Sequence, residues 1–263
     1  MARSGTGGPL IRWVSMWCRA VGLHARRGVA VAAGCGLLAV LAVGQPGISP
    51  VAAAPAVLGL DVSDHQPRID WSAVRSGGAQ FAYVKATEGN RSVNPDFAAQ
   101  YDGSHETGLI RGAYHFALPS DSSGAAQARY FVANGGGWTA DGRTLPGALD
   151  LEANPDGAKC YRLSHSAMVS WIASFDDTYH ALTSRWPVIY TTSGWWATCT
   201  GGYRGFASKD PLWVASYTNV PGALPAGWGF RTFWQYADAG AFPGDQDLFN
   251  GSSSGLRQLA TRG

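Results

Sequence analysis

Between Leu145 and Asn154 the chain reads Leu-Pro-Gly-Ala-Leu-Asp-Leu-Glu-Ala-Asn, and Asp150 and Glu152 are the residues whose type and spacing most directly suggest chemistry. Small or acidic residues alternate there with leucine, which is the period of a strand. The two carboxylates therefore share a face with Ala148, while Leu149 and Leu151 point the other way. Two ionised carboxylates about 7 Å apart along a strand repel, so one of them is expected to titrate at raised pH. A carboxylic acid still protonated near neutrality is a proton donor. Glycoside hydrolysis needs one such acid at the leaving oxygen and a second carboxylate on the anomeric side. Taken alone, the strand is also compatible with a structural or metal-binding pair.

A second acidic strand, Gly59-Leu60-Asp61-Val62-Ser63, places Asp61 on one face and Leu60 and Val62 on the other. Burying unpartnered charge is costly, so a fold that aims Asp61, Asp150 and Glu152 inward is expected to use them. The elements that would position these acids alternate. Strands are predicted over 57–62, 81–87, 110–117, the acidic stretch, 188–192, 212–216, 231–236 and 246–249. Helices are predicted over 69–76, 95–107, 123–134 and 164–184, the last from Met168, Ile172, Phe175 and Tyr179 at three- and four-residue steps. After the fifth strand there is little room for full helices. Such alternation argues for the α/β class, a parallel sheet with covering helices, and eight strands suggest a TIM-like barrel whose active residues sit at strand ends.

Residues 1–56 read as an export signal outside this domain. Arg3, Arg12, Arg19, Arg26 and Arg27 come without an acid, then an apolar run from Gly28 to Val43, then small residues around Ala52 to Ala56. The apolar run is short for a membrane span. Cleavage is expected after Ala54 or Ala56, leaving residues 57–263 as a single catalytic barrel, secreted and extracellular. Five of the 20 basic residues lie in the leader, leaving 15 against 18 acidic ones and a net charge of −3. No basic patch argues for nucleic acid or for an anionic surface. Of four cysteines, Cys18 and Cys35 leave with the leader. In an oxidising compartment the remaining pair, Cys160 and Cys199, reads as one disulfide joining the loops after strands four and five.

Seven ordered blocks carry a resemblance: Gly59-Leu60-Asp61-Val62-Ser63 with Gln66, Val84-Lys85-Ala86-Thr87-Glu88-Gly89, Arg111-Gly112-Ala113-Tyr114-His115-Phe116, Leu149-Asp150-Leu151-Glu152, Leu212-Trp213-Val214-Ala215, Trp234-Gln235-Tyr236, and Asp245-Gln246-Asp247-Leu248-Phe249-Asn250-Gly251. In this order, over about residues 57 to 252, the chain resembles the family 25 glycoside hydrolases, the Chalaropsis-type muramidases. The resemblance implies a flattened barrel of eight strands with about five full helices. It also implies cleavage of the β-1,4 bond between N-acetylmuramic acid and N-acetylglucosamine in peptidoglycan.

Carried over by position, Glu152 is the general acid, Asp150 its neighbour near the reacting sugar, Asp61 the first-strand acid and Asp245 the last-strand acid. Asp247 is the alternative to Asp245. Either Asp61 or Asp150 attacks the anomeric carbon, or one of them orients the substrate's own acetamido group to do so. The second route, with Asp150 orienting, is the reading preferred here.

Aromatic residues suit a sugar site: the chain holds 11 Trp, 10 Tyr and 10 Phe. Tyr114, Tyr190, Trp213, Trp234 and Tyr236 lie at or near strand ends, where rings can stack on pyranose faces. Tyr114, Tyr190, Trp213 and Gln235 are the substrate-binding candidates. His65, His105, His115, His165 and His180 show no ligand-like spacing, and His115 is expected to be a hydrogen-bonded strand residue. No cofactor or metal is implied. The expected partner is the glycan strand of peptidoglycan, met by a monomer with no stable membrane association once the leader is removed. Rival readings are a catalytically dead sugar-binding barrel, which would have lost an acid, and a chitinase, which would carry more acids ahead of the Glu.

Overall fold

The computed structural model describes residues 56–262. The expected leader, apart from Ala56, lies outside the described residues.

Nine strands form the sheet. They are β1 (Val57–Val62), β2 (Ala79–Glu88), the two-residue β3 (Ser92–Val93), β4 (Ile110–Phe116), β5 (Ala148–Leu151), β6 (Val188–Thr191), β7 (Leu212–Ala215), β8 (Phe233–Ala237) and β9 (Asp245–Phe249). Their order is β1-β9-β8-β7-β6-β5-β4-β2-β3, and β1 also pairs with β2, so eight strands close into a barrel with β3 appended at one rim. Pairing is parallel from β1 through β2 and β4 to β8. The last strand breaks the expected pattern. β9 runs antiparallel to both β8 and β1. Only residues 238–244 separate β8 from β9, whereas a parallel return needs a crossover of about a dozen residues or more. So short a link permits only reversal.

Among the described residues, six α-helices accompany the sheet: α1 (Trp71–Ser76), α2 (Phe97–Glu106), α3 (Gly124–Phe131), α4 (His165–Thr183), α5 (Ser193–Thr200) and α6 (Ser253–Arg262). Polar caps start most of them. Asp70, Ser123, Ser164 and Thr192 each accept a hydrogen bond from the backbone N–H three residues on. The expected number of full helices holds, but two of them fall where the sequence reading placed none. Thr192 and Gly201 bracket α5, the glycine ending it at φ 67°. The segment after Gly251, read as a short tail, forms α6 and inserts Leu256 and Ala260 into the barrel core beside Val57, Phe81 and Val188.

Three apolar layers hold the strands in place. Inside the barrel, Phe81, Tyr83, Trp213 and Phe233 fill the space above α6. Glycine on the neighbouring strands makes room for the rings, since a Cβ on Gly59 would lie 2.4 Å from Phe81 and one on Gly112 would lie 2.3 Å from Tyr83. Outside, Leu149, Leu151 and Ile189 pack against Met168, Ile172 and Phe175 of α4 and Trp195 and Trp196 of α5. Leu60, Val62, Ala82 and Val84 pack beneath Trp71 and Val74 of α1. Leu60 and Val62 face outward as their alternation with Asp61 requires, and Leu149 and Leu151 do so around Asp150.

Candidate active site

Parallel strands deliver their C-terminal ends to one rim of the barrel, and the reversed β9 delivers its beginning there. Asp61 near the end of β1 is therefore register-paired with Asp245, the first residue of β9. Across the barrel, β5 carries Asp150, and Glu152 follows at once in the loop. All four acids line a single cavity of about 200 Å³, together with Tyr114, Tyr190 and Trp213. Gly244 closes the seam between β9 and β1. Its φ is 73°, and a Cβ there would sit 2.2 Å from the Asp61 carbonyl, so the loop could not lie this close with any larger residue.

Every acid in the cluster is pushed toward its neutral form. Asp61 is raised to about 7 by burial and then by the charge of Asp245, against which hydrogen bonds from Gln235 and Asp247 act. Asp150 is raised well above the carboxylate range by burial and then by Glu152. Burial also raises Glu152, and Asp245 is raised by burial and by Asp238. The expectation that repulsion lifts one member of the Asp150–Glu152 pair is met at Asp150, where the charge of Glu152 adds to burial. The cause at Glu152 differs from it, because the hydrogen bond with Asp150 lowers Glu152 instead of raising it. Asp150, 5 % exposed, is the more deeply buried of the two and so holds a proton more firmly. Among the described residues, none is a hydrogen-bond partner of Asp150 Oδ1.

Gln235, a substrate-binding candidate, is 2 % exposed and is not among the residues that line the cavity; it is a hub behind them. Its Nε2 donates to Asp61 Oδ2 at 2.8 Å and to Asp245 Oδ2 at 2.9 Å, and its Oε1 accepts from the Tyr190 hydroxyl at 2.7 Å and the Tyr217 hydroxyl at 2.8 Å. The amide is thereby fully used. Tyr114 meets the edge of Trp213 at 6.4 Å, and Trp213 stacks on Tyr83 at 4.8 Å while its Nε1 donates to Asp247 Oδ1 at 2.9 Å. Asp247 is wholly buried below the cavity, which leaves Asp245 as the last-strand acid at the surface of the cleft.

Two aromatic residues expected near the sugar lie elsewhere. Trp234 and Tyr236 alternate with Gln235, so they project to the outer side of β8 and line a separate groove with Tyr217. His115 is the strand residue anticipated: Nδ1 lies 2.7 Å from Thr87 Oγ1 and Nε2 2.9 Å from Gln127 Oε1, and burial lowers its pKa to about 4.

Other residues were not singled out by sequence. Lys85 lines the cavity, pairs with Glu88 at 2.6 Å and lowers both Asp150 and Glu152. It sits in a block that carried the resemblance, and its place on the inner face of β2, two residues from Tyr83, was the available signal. Gln100 is buried on α2 and donates to the carbonyls of Ser63 and Gln66 at 2.7 and 2.9 Å, while accepting from Asn94 at 2.9 Å. These bonds fix the turn after β1 that continues from Asp61. Nothing local in the sequence marks a glutamine on a helix for this role. Among the described residues, no group of His, Cys, Asp and Glu is arranged to hold a metal ion.

Residues 60–245 match the model of the glycosyl hydrolases family 25. The chain belongs to that family. Among family 25 relatives, the N,O-diacetylmuramidase of a Chalaropsis species is 47 % identical over 209 residues, covering 78 % of this chain and 99 % of the relative. Lysozyme M1 of Streptomyces globisporus is 51 % identical over 209 residues, covering 78 % of this chain and 71 % of that protein. Of solved structures, a muramidase from Acremonium alcalophilum superposes with a TM-score of 0.77 at 56 % identity, covering 78 % of this chain and 99 % of that one. The bacterial lysozyme from Streptomyces coelicolor superposes with a TM-score of 0.77 at 50 % identity, covering 79 % and 98 %. As a family 25 enzyme, the protein is a glycoside hydrolase.

Proposed function

We propose that the protein is a secreted N-acetylmuramidase that cleaves the β-1,4 bond between N-acetylmuramic acid and N-acetylglucosamine in peptidoglycan, with Glu152 as general acid. The observation that carries the site assignment is the convergence of Asp61, Asp150, Glu152 and Asp245 from three strand ends on one cavity. The activity is that of the muramidase relatives, and export follows from the basic, apolar and small order of residues 1–56.

In this reading the substrate sorts the protons. An acetamido N–H donated to the free Asp150 Oδ1 favours the charged form of Asp150. The proton it held passes along its hydrogen bond to Glu152, which then protonates the leaving glycosidic oxygen as the acetamido carbonyl oxygen bonds to the anomeric carbon. Water completes the reaction by opening that intermediate. Asp61, held by Gln235 on the opposite wall, contributes negative charge where positive charge develops.

The test is digestion of purified peptidoglycan beside chitin, with mass analysis of the new reducing ends. Reducing N-acetylmuramic acid from peptidoglycan and little release from chitin is the expected result; N-acetylglucosamine ends would overturn it. Glu152→Gln keeps the shape and loses the transferable proton, and should lower kcat by about 10² to 10⁴ with an unchanged melting temperature. A folded Glu152→Gln protein with near-normal activity would remove Glu152 from its role.

A further inference from the structure

Asp247 lies on the same inner face of β9 as Asp245 and is register-paired with Gly59 on β1 and Gln235 on β8. It is fully buried. Its Oδ1 accepts from the Trp213 indole at 2.9 Å, and no N–H or hydroxyl of the described residues reaches its Oδ2. Asp61, two residues on from Gly59 along the same inner face of β1, is its diagonal neighbour, and the two carboxyls interact as a hydrogen-bonding pair that raises Asp247 and lowers Asp61. Two carboxyl oxygens can be joined only through a proton, so one of the two residues carries it. Asp61 has a donor in Gln235 at 2.8 Å and borders the cavity, both of which favour charge on it. Asp247 has only the indole, and Asp61, Asp245, Tyr83 and Tyr236 are the titratable groups that interact with it, none of them a cation. The proton belongs on Asp247.

We propose that Asp247 is a positioning residue, a neutral carboxylic acid that donates its proton to Asp61 and, with Gln235, fixes the Asp61 carboxylate in the cleft as an oriented acceptor. An ionised Asp61 then has two donors on its buried side, and its remaining lone pairs face the cavity. The Trp213 hydrogen bond sets which oxygen of Asp247 bears the proton, because Oδ1 is occupied as an acceptor. Trp213 is itself held by stacking on Tyr83, so the barrel core reaches the reaction site through one rigid chain of contacts. The inference rests on the reading of Asp61 as an acid of the reaction site. It also separates the two aspartates of β9: Asp245 faces the cleft, and Asp247 acts through Asp61.

The decisive pair of variants is Asp247→Asn and Asp247→Leu. Asparagine keeps a neutral donor toward Asp61 and an acceptor toward Trp213, so kcat and the pH profile should stay within about threefold of wild type. Leucine fills the volume without a donor. It should cost at least about tenfold in kcat and move the acid limb of the profile upward by about one pH unit, because Asp61 then ionises less readily. A folded Asp247→Asn enzyme that loses about 100-fold would overturn the proposal, because only a reacting carboxylate needs the charge.

Should the leucine variant fail to fold, carboxyl-carbon NMR of aspartate-labelled wild type and Asp247→Asn decides the matter. The resonance lost on substitution should remain in the protonated position through neutral pH, and one already ionised at pH 6 would refute the assignment. Asp61→Asn is measured alongside. Full activity there would defeat the reading of Asp61, whereas the NMR result would still say where the proton sits.

Discussion

Replacing Asp210 by asparagine should remove part of the pH dependence of folding stability. Asp210, just before β7, and Asp176 on α4 are both buried, at 2 % and 0 % exposure, and among the described residues no backbone N–H or neutral side chain donates to their four carboxyl oxygens. They are hydrogen-bonded to each other and so share a proton. Lys209 Nζ lies 3.2 Å from Asp176 Oδ2 and 3.7 Å from Asp177 Oδ1, and favours charge on the pair without removing the effect of burial. Burial raises Asp176 to about 6, and burial with the charge of Asp176 raises Asp210 to about 10.

A raised carboxyl means that the folded state binds more protons than the unfolded one above pH ~4. The pair's stability is therefore fully present below pH ~4 and is lost as pH rises through about 6 and towards about 10. The two groups titrate as a unit, so one retained proton is the correct count. Holding it from pH ~4 to neutrality corresponds to at most about 4 kcal/mol. Relaxation around the buried pair should reduce this to about 1 to 3 kcal/mol.

Asparagine donates to Asp176 with no proton to lose. Asp210→Asn should match wild type near pH 4 and exceed it at pH 8, by about 3 to 8 °C in melting temperature at this chain length. Thermal unfolding of both proteins across that range is the assay. The acids of the cleft lose protons in both proteins, so the difference between them isolates this pair. A melting-temperature difference that stays flat from pH 4 to 9 would refute the shared proton.

Cys160 and Cys199 are bonded, which closes a loop of sequence separation 39. Removing the bond by Cys160→Ser and Cys199→Ser together should destabilise the fold by about 2 to 4 kcal/mol, read as a lower denaturation midpoint. Two free thiols in unfolded, unreduced protein would contradict the bond. Gln235→Glu keeps the side-chain shape and replaces the donor toward Asp61 and Asp245 with a third acid. Hydrogen bonds to charged groups are worth about 1.5 to 3 kcal/mol each, so activity near neutral pH should fall by at least about tenfold and recover in part at acid pH, where the new carboxyl can donate. A pH-rate profile superimposable on wild type would show that the hub is dispensable.

Much of this site could be read from sequence because the information was local. Alternation placed Asp61 opposite Leu60 and Val62, and Asp150 opposite Leu149 and Leu151; a strand has only two faces, so parity was enough. The same rule, applied fully to β8, would have set Trp234 and Tyr236 apart from Gln235. Their position at a strand end obscured it. The disulfide was legible from cysteine count, yet Cys199 lies on α5, a helix that the Gly201-Gly202 pair disguised as loop although Gly201 only terminates it. Helix α6 was hidden by its polar composition. It contributes Leu256 and Ala260 to a core it does not itself enclose, and so short an apolar stripe carries meaning only once the barrel end is known. The hydrogen bonds of Gln235, Gln100 and Asn94 join residues distant in sequence and have no local signature.

The reversal of β9 is what makes the carboxyl cluster possible. In an all-parallel barrel the eighth strand would present its last residues at the rim, and Asp245 would lie at the opposite end of the barrel from Asp61. The short link after β8 instead turns the strand, so that its first residue meets Asp61 and Asp247 falls directly beneath. Four acids then line one cavity in which Lys85, already paired with Glu88, is the permanent cation among the lining residues. So many carboxyls with so little compensating charge cannot all ionise where burial strips most of their water. The cleft must therefore store protons, as the raised values of Asp61, Asp150, Glu152 and Asp245 express. Stored protons are what a general acid draws on, and the hydrogen-bonded pairs Asp150–Glu152 and Asp61–Asp247 hold them on opposite walls. One pair borders the cavity through both members and can hand a proton to substrate, while the other reaches it only through Asp61 and keeps its proton below, on Asp247 beside Trp213. The difference between a proton donor and a fixed support thus comes from depth in the barrel, with the same chemical group serving at both levels.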